Sequence, residues 1–444
     1  MPKNKFLKLS WNDAESFWAN GTITKNGIVY NVSDGIIPII AEEFEPHVYG
    51  FHINGSESDP SNAVTYLRDA IGLTPAKMNY GTGMFEYGSW KNAFFMPRPC
   101  MVKFDGTTDY YLNEDAYDYK EDGTASDVAN DAYNGNAMME WGGKGKIWYK
   151  IVPDAGDDKS ASIFIANFQE DSDYKCWSFI NNNGAEVNRF YTPIYTAWFD
   201  SNGRMRSLSN KAPKVNTTAS QEITASQLNN PTGSNMWYTE VFADIQLINF
   251  LLILISKSLD SQTKFGQGFS EGGSQESHLH KSGLMNNRGL FWGSSSTTGD
   301  GVKVFGMENW WGNHWRRYAG HICASGTQKI KLTYGTQDGS TASAYNTEGT
   351  GYLSKGVTPT GTSGGYIDRM TFDSNSMLAK NSSGTSTTYY CDGQWFNNSI
   401  TAYARRGGSC GSGSLDGLFF VILAFAAGYA YWHIGSALSC KPLS

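Results

Sequence analysis

The chain has 444 residues, of which 40% are hydrophobic and 14% aromatic, so it can bury a large core, and its length favours two or three domains. Its net charge is −7 and no basic stripe runs along the sequence, which argues against nucleic-acid binding. Glycine, serine, threonine and asparagine are abundant beside many aromatic residues, and this composition favours short strands and ordered loops over helices.

The first 140 residues divide into two predicted segments. Residues 1–45 are interpreted as an N-terminal attachment segment, in which Asn26-Gly27 between strand-forming runs predicts a β-hairpin. This segment lacks the apolar stretch of a secretory signal, so no such signal is expected. Residues 46–140 are predicted to be a β-rich domain. Its acidic stretch at 107–135 is interpreted as a solvated loop, because it lacks the ligand spacing of an EF-hand.

Residues 141–444 form the third predicted segment. Strands are expected at 147–152, 161–168 and 194–199, followed by one long helix at 236–258. The apolar part of that helix is shorter than the roughly 20 residues that cross a bilayer. We therefore interpret the helix as buried core and expect no membrane insertion.

The cysteines give little sign of a shared site. Six are present and none forms a CxxC pair, which argues against a zinc module and against a dense disulfide framework. Free buried thiols are the favoured interpretation. One disulfide between Cys440 and either Cys391 or Cys410 stays open as an alternative.

One histidine cluster stands out in a glycine-rich stretch. Glu276, His278 and His280 could together hold a metal ion, although an ordinary polar loop is the favoured interpretation. The sequence contains no HExxH, GxSxG or phosphate-binding loop, and no nucleophile lies at a recognisable spacing from a base. The chain is therefore not predicted to be an enzyme.

Three short segments carry a resemblance to a known family. Gly306-Met307-Glu308-Asn309-Trp310 lies in a dense tryptophan cluster that is expected to be core. Arg406-Gly407-Gly408-Ser409 and Ile434-Gly435-Ser436-Ala437 follow near the C-terminus. All three are similar to segments of the formylglycine-generating-enzyme branch of the C-type lectin fold. The resemblance covers roughly residues 138–444 and implies an α+β fold, with a C-type lectin-like domain at 141–444 and a β-rich region before it.

The sequence departs from that family where the family's chemistry resides. Its enzymes use a pair of reactive cysteines, whereas Cys410 has no second cysteine near it in the sequence. The histidines of its iron-binding members also have no counterpart here. The fold sometimes carries structural calcium, whose ligands the sequence does not identify. No other cofactor is expected.

The stretch 417–435 has no charge and no proline between Leu418 and Trp432. Its apolar run of about 16 residues is too short to cross a bilayer. Hydrophobicity alternates with a period of two in both halves, which predicts two extended segments. One face is uniformly packable, with Val421 and Leu423 among its members, and an ordinary buried hairpin is the alternative. The opposite face is chemically mixed and is predicted to be exposed: Phe420, Ile422, Ala424, Tyr429, Tyr431 and His433.

This pattern resembles the variable region of target proteins of diversity-generating retroelements, and it spans residues 405–436 here. In that family, template asparagine codons are randomised at their adenines, which cannot produce Met, Trp, Gln, Lys or Glu. None of these residue types occurs at the thirteen candidate positions. The resemblance implies that these positions form a ligand-binding surface: Cys410, Gly411, Ser412, Leu415, Asp416, Phe420, Ile422, Ala424, Phe425, Gly428, Tyr429, Tyr431 and His433.

The resemblance also implies a role. The chain would be a receptor-binding protein of a phage tail, because residues 63–75 resemble modules in tail proteins of gut-bacterial phages. Its partner would be a protein or glycan on the host-cell surface, and it would reside in the virion after assembly in the host cytoplasm. Related proteins are trimeric, so a homo-oligomer is expected, with a trimer as one form. A bacterial surface adhesin of the same fold is the alternative, and an enzyme of the formylglycine-generating type is the less favoured third hypothesis.

Overall fold

The structure is a computed structural model. It describes residues 45–332, 349–360 and 364–443, together with three short strands near the N-terminus. The chain divides into two units, Met1–His47 and Val48–Ser444. Each unit is described by itself.

The first unit contains a three-stranded antiparallel sheet. Its strands are β1 (Ser16–Trp18), β2 (Thr22–Lys25) and β3 (Ile28–Asn31), in the order β1-β2-β3. Lys25 lies opposite Ile28, so the predicted hairpin between β2 and β3 is confirmed, while Asn26 and Gly27 themselves lie outside the described residues.

The second unit contains most of the strands. Those before the first helix are β4 (Val48–Ile53), β5 (Val64–Arg68), β6 (Lys77–Asn79), β7 (Met84–Glu86), β8 (Arg98–Lys103), β9 (Thr108–Asn113), β10 (Ala116–Lys120), β11 (Gly135–Trp141), β12 (Trp148–Asp154), β13 (Asp157–Ala166), β14 (Phe190–Pro193), β15 (Trp198–Phe199) and β16 (Met205–Arg206). The helical region comprises α1 (Ala219–Gln227), β17 (Trp237–Thr239), α2 (Phe242–Ser256) and α3 (Ser261–Phe265). The strands after it are β18 (Trp292–Gly293), β19 (Val302–Val304), β20 (Met307–Glu308), β21 (Trp315–Ala324), β22 (Thr327–Ile330), β23 (Leu353–Ser354), β24 (Gly364–Tyr366), β25 (Arg369–Asp373), β26 (Ser376–Asn381), β27 (Gly393–Phe396), β28 (Ala402–Arg406), β29 (Val421–Leu423), β30 (Ile434–Ser436) and β31 (Leu438–Cys440).

Three larger sheets organise these strands. A seven-stranded sheet has the order β10-β9-β8-β11-β14-β31-β17, and a four-stranded sheet has the order β12-β13-β4-β5. An eight-stranded sheet follows the path β23-β22-β21-β28-β29-β27-β24, with β30 paired in parallel to β21. The first sheet joins strands from both ends of the unit, and the predicted domain boundary at 140/141 falls inside β11.

The described chain is mainly β. Strands hold 34% of the residues and helices 10%, in three helices. The predicted α+β class, including the C-type lectin arrangement that implied it, is therefore wrong. The resemblance implied that class, whereas the composition favoured strands over helices. Most of the strands are only two to six residues long, too short to produce a clear period-2 signal.

Several local predictions can be compared directly with the structure. The strands expected at 147–152 and 161–168 are confirmed as β12 and β13. The strand expected at 194–199 is wrong, because β14 ends at Pro193 and β15 begins at Trp198. The acidic stretch interpreted as a loop contains β9 and β10, which pair antiparallel.

Helix α2 forms the centre of the core. All of its residues are buried, as expected for a helix that is apolar on every side. It begins later than predicted, because Trp237–Thr239 forms β17 instead. Lys257 ends it in the left-handed conformation. Within the part of the chain that the structure describes, no helix combines the length and apolarity needed to cross a bilayer.

Two polar side chains of α2 connect it to distant segments. Gln246 donates from Nε2 to the hydroxyl of Tyr149 across 3.0 Å and to the carbonyl of Asn375 across 2.9 Å. Asn249 donates to the carbonyl of Leu418 across 3.3 Å. Its Oδ1 accepts a hydrogen bond of 3.3 Å from the indole N–H of the buried Trp310. The helix therefore fixes the start of the stretch 417–435 as well as the four-stranded sheet.

Candidate ligand-binding surface

The predicted variable region, residues 405–436, is anchored in the eight-stranded sheet at both ends. It begins on β28, whose residues are all buried. Strand β29 pairs antiparallel with β28 and parallel with β27, and β30 pairs in parallel with β21. The first predicted extended segment corresponds to β29, whereas the second, at residues 429–434, is wrong, because β30 begins only at Ile434. Residues 424–433 between them form neither helix nor strand.

Three of the thirteen candidate positions are buried. Cys410 lies with its Sγ 3.4 Å from the carbonyl of Gly273, and Asp416 accepts a hydrogen bond of 3.2 Å from a backbone N–H. Phe420 packs its ring edge-on against Trp315, with 4.5 Å between ring centroids. The exposed position predicted for Phe420 is wrong, because β29 begins one residue later and the alternation does not extend back to it.

The other ten candidate positions reach the surface at least in part. Tyr429 and Tyr431 are the most exposed large side chains among them, at 37% and 48%. In the alternation at β29, Val421 and Leu423 are buried and Ile422 is half-buried. The partly or fully exposed candidates are Gly411, Ser412, Leu415, Ile422, Ala424, Phe425, Gly428, Tyr429, Tyr431 and His433.

Five aromatic side chains form a continuous row on the 424–433 loop. We call this row, made of Phe425, Tyr429, Tyr431, Trp432 and His433, the aromatic ridge. Ring centroids lie 4.3 Å apart between Phe425 and Tyr429 and 6.2 Å apart between Tyr429 and Tyr431. The imidazole of His433 lies 5.2 Å from Tyr431 and 4.5 Å from Trp432. Each ring therefore supports its neighbour.

Hydrogen bonds from outside donors to main-chain carbonyl groups hold the backbone of the loop in place. Every second residue from 425 to 433 accepts a hydrogen bond at its main-chain oxygen from a donor outside the loop. The pairs are Tyr403 N to Phe425 O at 2.9 Å, Ala219 N to Ala427 O at 3.0 Å, Arg317 Nη2 to Tyr429 O at 2.6 Å, Asn216 N to Tyr431 O at 3.0 Å and Trp315 N to His433 O at 2.9 Å. Four of these five acceptors are candidate varied positions. Because a carbonyl group is common to all residue types, the loop's fixation does not depend on their side chains.

Arg317 is the single side-chain donor among these anchors. It is 3% exposed, and its Nη1 lies 2.6 Å from Oε1 of Glu222 on α1. Glu222 also accepts a hydrogen bond of 2.8 Å from the hydroxyl of Thr217. A buried guanidinium that is paired with Glu222 thus fixes the carbonyl of Tyr429, and α1 lies against the loop.

Arg405 lies beside the aromatic ridge. Its Cζ atom is 4.2 Å from the ring centroid of Phe425, 5.6 Å from that of Tyr429 and 5.7 Å from that of Trp315. Its Nε is buried without a hydrogen-bond partner. Burial and the neighbouring charge of Arg317 lower the pKa of Arg405 to about 9, which leaves it charged at neutral pH.

The remaining sequence candidates form no shared site. The imidazole of His280 stacks on Phe269 at 3.6 Å, and the described residues include no group of three or more His, Cys, Asp or Glu arranged to hold a metal ion. All six cysteines are buried free thiols, which confirms the favoured interpretation over a disulfide to Cys440. Burial, and then Asp416, raise the pKa of the Cys410 thiol to about 11.

Sequence reasoning did not find the residues that support the loop. Arg317 and Arg405 were not candidates, and neither was Asn216. Two arginines side by side at 405–406, directly after the apolar residues 402–404 and at the start of the predicted variable region, were the one available signal, since unpaired arginine is rarely buried. A comparison with models of known protein families finds no match, and a comparison with curated proteins finds no related sequence.

Proposed function

We propose that this chain is a ligand-binding protein whose diversified surface includes every residue of the aromatic ridge except Trp432, and that it serves as a receptor-binding protein of a phage tail. The ridge and its neighbouring candidate positions would contact a protein or glycan on a host cell. The diversification would come from a retroelement acting on the thirteen positions.

The anchoring of the loop through main-chain carbonyls supports this proposal most strongly. A surface that varies between copies of a gene must keep its backbone while its side chains change. The hydrogen bonds to Phe425, Tyr429, Tyr431 and His433 use atoms that every substitution retains. Surface side chains with no further structural role can then change at little cost in stability.

The chemistry of the ridge supports the same proposal. Clustered tyrosine and tryptophan side chains on a rigid backbone dominate many protein-recognition surfaces, because they bury a large area with little loss of conformational entropy. The ridge carries Tyr429, Tyr431 and Trp432 in this arrangement. This composition favours a protein surface over a sugar as the partner. In a homo-oligomer, such as a trimer, several ridges would act together and multiply a weak single-site affinity.

Sequencing tests the diversification directly. Codons 400–440 would be read from many natural copies of this gene. We expect substitutions at the thirteen positions and invariance at Leu423, Trp432 and Ile434. Substitutions spread evenly over the segment would refute a diversified surface.

Binding tests the role of the ridge. The purified chain would be labelled and mixed with a panel of bacterial isolates from the same community, and bound protein would be measured by flow cytometry. Tyr431→Ala should abolish binding to the isolate that the natural chain recognises. Tyr119→Ala is the matched control, because Tyr119 is 51% exposed on β10 and does not belong to the ridge. Equal loss in both variants would contradict the proposal.

Two alternatives have separate tests. A bacterial surface adhesin would lack neighbouring tail and capsid genes, so the gene's surroundings distinguish it. An enzyme of the formylglycine-generating type would convert a cysteine peptide to an aldehyde, with turnover lost in Cys410→Ser. The raised pKa of the Cys410 thiol disfavours the thiolate that such a reaction needs.

A further inference from the structure

Arg405 differs from the other buried arginines of the described chain. The other four each have a carboxylate partner. These ion pairs are Arg206 with Asp200 at 3.0 Å, Arg316 with Glu240 at 3.2 Å, Arg317 with Glu222 at 2.6 Å and Arg406 with Glu240 at 2.6 Å. Arg405 is 3% exposed, yet among the described residues no carboxylate lies within ion-pair distance of it. A buried cation without an anion is costly, so its retention calls for an explanation.

Aromatic rings supply the partial compensation that Arg405 has. The nearest is Phe425, with Tyr429 and Trp315 farther away. A cation above a ring face is attracted by the ring's quadrupole, but more weakly than by a carboxylate. Phe425 and Tyr429 are candidate varied positions and Trp315 is not. The compensation of a fixed cation thus depends mainly on residues expected to change from one copy to the next.

The charges around Arg405 favour a single negative charge as its missing partner. Arg317, the cation that acts most on Arg405, forms an ion pair with Glu222, and this single carboxylate also attracts Arg405. His433 lies near enough for the charge of Arg405 to contribute, after burial, to lowering the imidazole pKa to about 4, so His433 is neutral at physiological pH. One uncompensated positive charge remains. A guanidinium matches the two oxygens of a carboxylate, which carries one negative charge.

We propose that Arg405 is a fixed carboxylate-binding subsite of the ridge, reached when the Phe425 ring moves aside. This inference rests on the proposed function and names one chemical group of the ligand. The Phe425 ring covers Arg405 in the free protein, and the ligand's carboxylate replaces it. The ligands of different variants would all carry a carboxylate, and the varied side chains would contact the rest of each ligand.

The experiment uses the full chain and small probes. N-acetyl-glutamate amide and galacturonate would be titrated at constant ionic strength, with binding read from tryptophan fluorescence and by calorimetry. Their uncharged counterparts, N-acetyl-glutamine amide and galactose, are the controls. We expect Phe425→Ala to bind the acidic probes at least about tenfold more tightly than the natural chain, because the covering ring is gone.

Arg405 variants complete the test. Arg405→Lys and Arg405→Met, each made in the Phe425→Ala chain, should weaken binding of the acidic probes by about tenfold or more. Melting curves and circular dichroism would verify that the variants are folded. If Arg405→Met does not fold, the result for Arg405→Lys decides the test. The inference is overturned if the uncharged probes bind equally well, if Phe425→Ala binds no acidic probe, or if binding survives in both Arg405 variants.

The probes also separate the sources of the carboxylate. Preference for the glutamate derivative supports an acidic protein side chain, and preference for galacturonate supports an acidic glycan. Equal binding supports the carboxylate alone as the recognised group. If the sequencing test fails while Arg405 still binds carboxylates, the diversification is refuted and the subsite remains. If the sequencing test succeeds while Arg405 binds no carboxylate, the proposed subsite is refuted and the diversified surface is supported.

Discussion

Arg406 donates a hydrogen bond from Nη2 to Oε1 of Glu240 across 2.6 Å, and both side chains are buried. The same carboxylate oxygen also accepts from Arg316 across 3.2 Å. Arg405, its neighbour on β28, points to the opposite face of the strand, as adjacent residues in a strand do, and has aromatic rings instead of a carboxylate. Two consecutive arginines therefore have opposite electrostatic environments.

This contrast predicts opposite effects on stability. Arg406→Met should lower the free energy of unfolding by about 1.5–3 kcal/mol, because it removes a charge-assisted hydrogen bond to Glu240, whose carboxylate keeps Arg316 as its partner. Arg405→Met should change it by less than about 1 kcal/mol or raise it, because it removes a buried charge that has no carboxylate partner. Urea unfolding of both variants followed by circular dichroism measures the difference. A larger loss in Arg405→Met would show that the stacked rings compensate the charge fully.

The carbonyl anchoring predicts that ridge side chains contribute little to stability. Tyr431→Ala should change the free energy of unfolding by within about 0.5 kcal/mol, as for other surface substitutions. Ile434→Ala, three residues later and fully buried, should cost about 2–5 kcal/mol. Thermal and urea unfolding of the two variants would be compared. Comparable losses would mean that the ridge is part of the core.

Buried histidine predicts a loss of stability in mild acid. Burial, with Arg316 as a further cause, lowers the pKa of His314 from its ordinary value of 6.5 to about 4. Below pH 6.5 the unfolded chain binds a proton at this position that the folded chain does not. The contribution is therefore fully present above pH 6.5 and declines as the pH falls toward 4, by up to about 3 kcal/mol.

Comparing the stability of the natural chain with that of a histidine variant separates the contribution of His314 from that of the carboxyl groups, which also titrate in mild acid. The stability of the natural chain minus that of His314→Gln should decrease as the pH falls from 7 to 4.5. His278→Gln is the control for the loss of a histidine at an exposed position, and the His314→Gln difference should decrease more than the His278→Gln difference. A decrease for His314→Gln no larger than that for His278→Gln would mean that the His314 imidazole titrates as it does in water.

The six free thiols predict slow chemical modification. Burial raises the pKa of every cysteine, to about 12 for Cys176 and about 11 for Cys323 and Cys410. Since the thiolate is the reactive form, the native chain should react with less than one equivalent of Ellman's reagent within minutes at pH 8. The denatured chain should react with six equivalents. Fewer than six in denaturant would reveal a disulfide.

The sequence predicted the features of the fold that depend on local pattern. The apolar run that became α2 and the Asn26-Gly27 signal between β2 and β3 both predicted the right element. The class was wrong because it was taken from the resemblance, and the β architecture itself depends on pairing between distant strands. For example, β31 lies between β14 and β17, which are far from it in the sequence. Such pairing leaves no local period to read.

The alternation along the sequence predicted part of the candidate surface, both on β29 and in the irregular segment that follows it. Val421 and Leu423 are buried as the alternation indicated, and Tyr429 and Tyr431 are exposed. The burial of Phe420 depends on Trp315, a partner more than 100 residues away. The carbonyl anchors could not be predicted at all, because a main-chain acceptor has no signature in the sequence.

The position of β31 has a consequence for faulty copies of the chain. Its residues Leu438–Cys440 follow the predicted variable region, yet they pair with β14 and β17 inside the seven-stranded sheet. A frameshift or premature stop anywhere in residues 405–436 would leave that sheet with a gap and an unpaired edge. Such a chain would lack β31, so β14 and β17 would each lose a partner, and the seven-stranded sheet therefore depends on translation through the whole predicted variable region.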